Sequence, residues 1–224
     1  MRRLGSRRQR EKLGLFACEG EDLVEAALDA GLEPVEALVD AERPALLERL
    51  PGAEPVAPAL LAGVSTLGHP PRVLAVFRRD ELPRGQRPVV LALWHVADPG
   101  NVGTLVRAAD AFGAGIALSR GCADPTGPKA LRASTGAVFR VPTGPFDDAP
   151  RPHIALVPDG GVPLPELALP DSATFVLGAE RGGLPDHVLA GCDERATIPQ
   201  PGAAESLNVA MAGTIALYEL ARRS

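Results

Sequence analysis

The chain has 224 residues, 46% of them hydrophobic, and a formal net charge of −5 from 23 Lys and Arg against 28 Asp and Glu. That is enough apolar material for one large or two small cored domains, and it excludes a disordered or low-complexity chain. No run approaches the roughly 18 apolar residues of a membrane span, and Cys18, Cys122 and Cys192 are odd in number with no CxxC, so neither a disulfide framework nor a zinc site is signalled.

The first twelve residues hold six basic side chains and one acidic one, which leaves the remainder at −10. A basic arm on an acidic body suits contact with a polyanion along one edge, although a solvated terminus has the same composition. No apolar stretch follows this basic start, so a cytoplasmic location is expected. The four histidines lack ligand spacing, and no metal is expected.

From residue 16 to 80 short strands and helices alternate. FACEG and EALVD read as strands, and EDLVEAALDAG as an amphipathic helix with Leu23, Ala26, Ala27 and Ala30 on one face and Gly31 as its stop. RVLAVFRR closes this unit, and ELPRGQRP reads as a linker, which divides the chain into residues 1–84 and 85–224. Beyond it VVLALW is a continuous apolar run, as expected of a parallel strand covered on both faces. GIALS, HIALVPDG, ATFVLGAE and RATIP repeat the pattern, each followed by a turn or helix, so the second unit is α/β with a mainly parallel sheet. A final helix is expected from Ser206, capped by that serine, with Leu207, Met211, Ile215 and Tyr218 as its buried stripe and Arg222 and Arg223 at the negative end of its dipole.

Three segments concentrate polar side chains just past strand ends, where open α/β sheets bind ligands. In DPGNVGTLVRAADAFGA, Val102, Leu105, Val106, Ala109 and Phe112 define a helical core face, so Arg107 points the other way and Gly103 beside it admits a phosphate or a second backbone. In VLGAERGGLP a glycine-rich loop follows the strand and carries Glu180; its spacing is not that of a dinucleotide fingerprint. In TIPQPGAAESLNVA, Ser206 and Asn208 stand at a helix start, where they either cap or bind. Neither a G-x-S-x-G elbow nor a G-x-G-x-x-G loop is present, which disfavours a hydrolase serine and a nucleotide-dependent oxidoreductase.

Taken in order, Asn101 with Arg107, the Leu177–Leu184 stretch LGAERGGL, and Ile198–Ala210 resemble the three motifs of the SpoU/TrmH family, S-adenosylmethionine-dependent RNA ribose methyltransferases of the SPOUT class. GLFACEGEDLVEAALDAG and STLGHPPRVLAVF look like the small L30e-like substrate-binding domain found with them. The resemblance implies a C-terminal trefoil knot, a homodimer formed through it, and an RNA partner, ribosomal RNA before transfer RNA. It implies an S-adenosylmethionine pocket at Leu177, Gly178, Ile198 and Leu207 with Thr135 and Gly136 nearby, and Asn101, Arg107, Glu180, Ser206 and Asn208 as the catalytic set. A guanidinium is a poor base, so Arg107 is expected to clamp a phosphate and the 2′-oxygen while the others orient it. Arg2, Arg3, Arg7, Arg8, Arg72, Arg78 and Arg79 are the candidates for gripping RNA. A non-catalytic RNA-binding protein of the same fold is the alternative.

Overall fold

The structure is a computed structural model that describes residues 1–65, 67–202 and 206–223. Thr66 of STLGHPPRVLAVF and residues 203–205 of the QPGAAE loop lie outside the described residues. The first part holds α1 (Arg7–Leu13), β1 (Leu15–Glu19), α2 (Glu21–Asp29), β2 (Glu36–Asp40), α3 (Pro44–Arg49), β3 (Glu54–Val56), α4 (Pro58–Val64) and β4 (Val73–Arg78). The second holds β5 (Val89–Leu93), α5 (Pro99–Ala111), β6 (Gly115–Leu118), α6 (Pro128–Ser134), β7 (Thr143–Pro145), β8 (His153–Leu156), β9 (Val162–Pro163), β10 (Ala173–Leu177), α7 (Asp186–Leu189), β11 (Glu194–Thr197) and α8 (Val209–Ala221).

Two sheets lie on either side of residue 84. The first is four-stranded in the order β1-β4-β2-β3, antiparallel except between β2 and β3. The second has seven strands in the order β7-β6-β5-β10-β8-β11-β9, with every pair parallel. Its central strands are apolar on both faces because both are covered. Leu91, Leu93, Phe175 and Leu177 join the core beneath α5 and α8, whereas Val90, Ala92 and Val176 face the opposite layer with Val188 of α7. β5, β10, β8 and β11 lie side by side, and the three motif-bearing loops leave from the ends of β5, β10 and β11.

The two parts are not joined by a free linker. One core runs through both, with Phe16 stacked between Phe77 (5.9 Å) and Phe139 (6.2 Å). Thr143 N–H donates to Pro83 O at 3.2 Å, so the expected linker is tied to the edge strand β7. The basic arm is helical and partly internal. Arg10 is buried, with its guanidinium 2.8 Å from the Asp124 carboxylate, and Arg79 reaches the same carboxylate at 3.0 Å. Arg2 donates to Gly63 O at 2.9 Å and Arg7 to Cys122 O at 2.8 Å. Burial pushes the Asp124 carboxyl up, but Arg79 and the hydrogen bonds from Thr126 outweigh it and leave the group below its ordinary range.

α8 departs from expectation in two ways. It starts at Val209, and its cap is Asn208, whose Oδ1 accepts from the N–H of Ala210 at 2.8 Å and of Met211 at 3.3 Å; Ser206 lies before the helix. The expected stripe is also outward: Met211 is 61% exposed, Ile215 37% and Tyr218 58%. The helix turns its small residues inward instead, because a side chain at Gly213 would collide with Leu105 at 2.5 Å and Leu177 at 3.1 Å. Ala210, Ala216, Leu217 and Leu220 complete the buried side. Arg222 and Arg223 both pair with Glu219, and Arg223 also donates to Leu167 O at 2.6 Å and Leu164 O at 2.9 Å, so they fasten the helix end by direct bonds.

Asp124→Ala is expected to cost about 3–5 kcal/mol in urea unfolding, since it strands a buried guanidinium. A carboxyl with a lowered folded pKa contributes its stability above the ordinary carboxylate range and loses it as pH falls through the folded value. The gap between wild type and Asp124→Ala should therefore narrow in acid.

Candidate active site

α5 begins where Asp98 caps it. The aspartate Oδ1 accepts from the N–H of Gly100 at 2.6 Å and of Asn101 at 3.1 Å, and Pro99 fills the first turn, where a missing N–H costs nothing. The hydrogen bond from Lys129 (2.8 Å), followed by those N–H groups, holds the Asp98 carboxyl below its usual range. The buried face comprises Val102, Leu105, Val106 and Ala109, as the periodicity implied, and Arg107 points to solvent with no hydrogen bond or ion pair to any described residue. Gly103 is buried against α6: a Cβ there would meet Ala130 O at 2.4 Å, so the close neighbour is a second backbone.

After β10 the chain doubles back through Gly182 and Gly183, both at positive φ, and Ala179 and Gly183 exchange backbone hydrogen bonds at 3.2 Å. Gly178 lies so close to this return that a Cβ would sit 2.4 Å from Gly183 C. The turn aims Glu180 at the start of α5. Its carboxylate accepts from Ala97 N–H and Asp98 N–H, both at 3.3 Å, and from Asn101 Nδ2 at 2.9 Å. Asn101 Oδ1 in turn accepts from Asn208 Nδ2 at 3.1 Å. Burial would raise the Glu180 pKa, but the Asn101 hydrogen bond and the backbone N–H donors outweigh it and set it below the ordinary value.

Beside this chain of polar groups opens a cavity of about 370 Å³, lined by Leu156–Pro158, Leu177–Glu180, Ile198, Gln200 and the 206–209 turn, among others. Its size is that of a small-molecule site. Leu177, Gly178, Ile198 and Leu207 thus lie together on its wall, with Ser206 and Asn208 at the helix start. Gln200 Oε1 is buried in it without a hydrogen-bond partner among the described residues.

Other expected residues lie elsewhere. Thr135 and Gly136 form a left-handed turn against the first part of the chain, where a Cβ on Gly136 would be 2.5 Å from Ala26 Cβ, so they are not part of this cavity. Arg107 is also outside its lining. Arg3 and Arg8 are exposed and have no partner among the described residues, whereas Arg72 lies 4.0 Å from Glu21 and Arg78 3.8 Å from Glu81. Sequence reasoning passed over Asp98, although D-P at a helix start is a capping signal, and Gln200, for which the sequence carries no such sign.

Residues 88–218 match the SpoU rRNA Methylase family. Over 231 residues the chain is 31% identical to the Bacillus subtilis 23S rRNA (guanosine(2553)-2′-O)-methyltransferase RlmP, covering 98% of this chain and 93% of that protein. A TrmH-family structure from Porphyromonas gingivalis superposes with a TM-score of 0.87 at 32% identity, covering 100% of this chain and 96% of that one. The Streptomyces viridochromogenes SpoU methyltransferase AviRb in complex with AdoMet gives 0.85 at 29% identity, covering 98% and 94%.

Asn101→Ala should raise the Glu180 pKa toward the ordinary carboxylate value, as read by NMR titration. An unchanged value would mean that the backbone donors alone hold the carboxylate. The match over residues 88–218 and the near full-length likeness to RlmP establish that the chain belongs to the SpoU rRNA methylase family.

Proposed function

We propose that this chain is an S-adenosylmethionine-dependent methyltransferase acting on a ribose 2′-OH of RNA, with ribosomal RNA as the substrate class. The observation that carries the reading is the hydrogen-bonded series Glu180–Asn101–Asn208, which joins all three motif segments at the rim of one cavity. Ribosomal RNA is favoured over transfer RNA because RlmP, named for a 23S rRNA target, is alike over the first part of the chain as well as the second.

The cavity fits the cofactor. It offers an apolar wall, the Gly178 backbone along its lining, and a buried acceptor at Gln200 Oε1 that has no donor among the described residues. An unpaired buried acceptor costs about 1–3 kcal/mol, which a donor from a ligand would recover. Leu177, Gly178, Ile198, Leu207 and Gln200 would hold S-adenosylmethionine, which when bound supplies a sulfonium-activated methyl group. Arg107 stays charged at any relevant pH, so it serves as an electrostatic clamp on a phosphate and on the negative charge developing at the 2′-oxygen. Glu180 and Asn208 fix Asn101, and Ser206 adds a hydroxyl to the rim.

Arg107 completes a site in this reading through a homodimer. The outward Met211, Ile215 and Tyr218 form an i, i+4, i+7 apolar stripe on α8, which packs on the same α5 that carries Arg107. A second copy seated on that stripe would bring the unpartnered guanidinium of one protomer to the cavity of the other. We read the segment from β10 to α8 as the trefoil knot of the family, and residues 1–84 as the L30e-like substrate domain with its exposed Arg3 and Arg8 toward RNA. The interior positions of β10 and β11 in the sheet support the first reading, and the mixed four-stranded sheet supports the second.

Transfer of labelled methyl groups from S-adenosylmethionine to unmodified ribosomal RNA tests the assignment; labelling of transfer RNA alone would move the substrate class. Arg107→Ala should lower turnover by about 10²–10³-fold with cofactor affinity unchanged by calorimetry, and lost cofactor binding would refute the clamp role. A Met211→Asp/Tyr218→Asp double variant should sediment near the 23.3 kDa of one chain while wild type runs at twice that mass.

A further inference from the structure

The chain is poor in aromatic residues, at 4%, and holds only four histidines and one tryptophan. Yet Trp94, Phe146, His95 and His187 converge in one cluster. The Trp94 indole stacks on the His95 imidazole at 4.8 Å and 10°, and meets Phe146 (5.2 Å, 67°) and His187 (5.3 Å, 74°) edge to face. Phe146 backs the cluster, partly buried against the core; His95 and His187 are exposed. Neither imidazole, nor the indole N–H, has a hydrogen-bond partner among the described residues.

The cluster has a specific backbone. His95 has φ +53°, in the left-handed region that few residues other than glycine enter, although Asn, Asp and His do so more readily than most. Its ring lies against Gly121, where a Cβ would come within 2.5 Å of the imidazole, so only glycine leaves room for it. Core packing does not require this, since the ring is exposed and the backbone turn would be easier with Asn or Gly.

The position is equally specific. Trp94 N–H donates to Leu177 O at 2.8 Å, the last bond before the Gly178 turn, and Glu180 holds the N–H groups of Ala97 and Asp98 two and three residues past His95. His187 stands on α7, at the far end of the loop that carries Glu180. Trp94 and His95 therefore stand just past β5, and His187 just past the loop that follows β10, beside two of the three loops that build the candidate active site. Arg120, next to Gly121, and Arg181, next to Glu180, are exposed without a partner among the described residues, on a protein of net charge −5.

Exposed imidazoles whose ring nitrogens have no partner among the described residues, flanked by the exposed Arg120 and Arg181, match one ligand chemistry, a heterocyclic base attached to a phosphodiester backbone. We infer that Trp94, His95 and His187 form a nucleobase-docking platform that stacks and hydrogen-bonds a base of the RNA substrate beside the ribose to be modified, with Arg120 and Arg181 on its phosphates. The inference rests on the methyltransferase reading above and adds to it the surface that selects which nucleotide enters.

Trp94 is the chain's own probe, because no second tryptophan obscures it. Full-length protein is titrated with decamers of oligoadenylate, oligouridylate and an abasic decamer of equal charge, with Trp94 emission as the readout. Base-bearing decamers should quench it saturably and the abasic one should not. His187→Ala should weaken decamer binding by about tenfold and raise KM for ribosomal RNA with little change in kcat; His187→Phe, which keeps a stacking face, should restore most of the affinity. His95→Asn tolerates the backbone turn and removes the ring, and should weaken binding similarly. Equal quenching by the abasic decamer, or variants that bind as wild type does, would overturn the platform. Methyl transfer by wild type is measured in parallel: transfer without base-dependent quenching removes the platform alone, and base-dependent quenching without transfer removes the methyltransferase reading alone.

Discussion

The site depends on one carboxylate. Glu180 leaves the end of β10 and gathers two backbone N–H groups and one side-chain amide from the start of α5. A hydrogen bond to a charged acceptor is roughly twice as strong as a neutral one, so these three outweigh the cost of partly desolvating the charge. The order then propagates. Asn101, once oriented, presents its carbonyl to Asn208, and Asn208 keeps its own carbonyl for the first turn of α8. Three loops far apart in sequence are thereby locked by a relay in which each amide uses both ends. Gly178, Gly182 and Gly183 are the local requirement, because only a turn this tight directs the carboxylate sideways.

Much of this was legible in the sequence. The apolar runs from Val89, His153 and Ala173 became strands, and the spacing from Val102 to Ala109 gave the buried side of α5. Short edge strands were not legible: Glu54–Val56, Thr143–Pro145 and Val162–Pro163 are two or three residues long and contain proline, so they carry no period. α8 misled for a different reason. It is apolar nearly all round, and periodicity alone does not say which of two apolar stripes faces the sheet. Gly213 decides it, since the helix can approach Leu91, Leu105 and Leu177 closely only along the side that has no side chain.

Charge was the least readable property. Arg10 belongs to a run whose composition suggests a polyanion partner, yet it is an interior residue that shares Asp124 with Arg79. Composition cannot separate an arginine that waits for phosphate from one whose counterion is 114 residues away in the same chain. Thr135 and Gly136 show the same limit for motif transfer. Their left-handed turn is fixed by its fit against Ala26, a tertiary constraint invisible to any local pattern.

The continuous core between the two sheets has a further consequence. With Phe16 wedged between Phe77 and Phe139 and Asp124 clasped from the other part of the chain, the junction is packed rather than open. Under the proposed function, an RNA touching both halves would meet two surfaces at a set span, a constraint that would act before a single base is read.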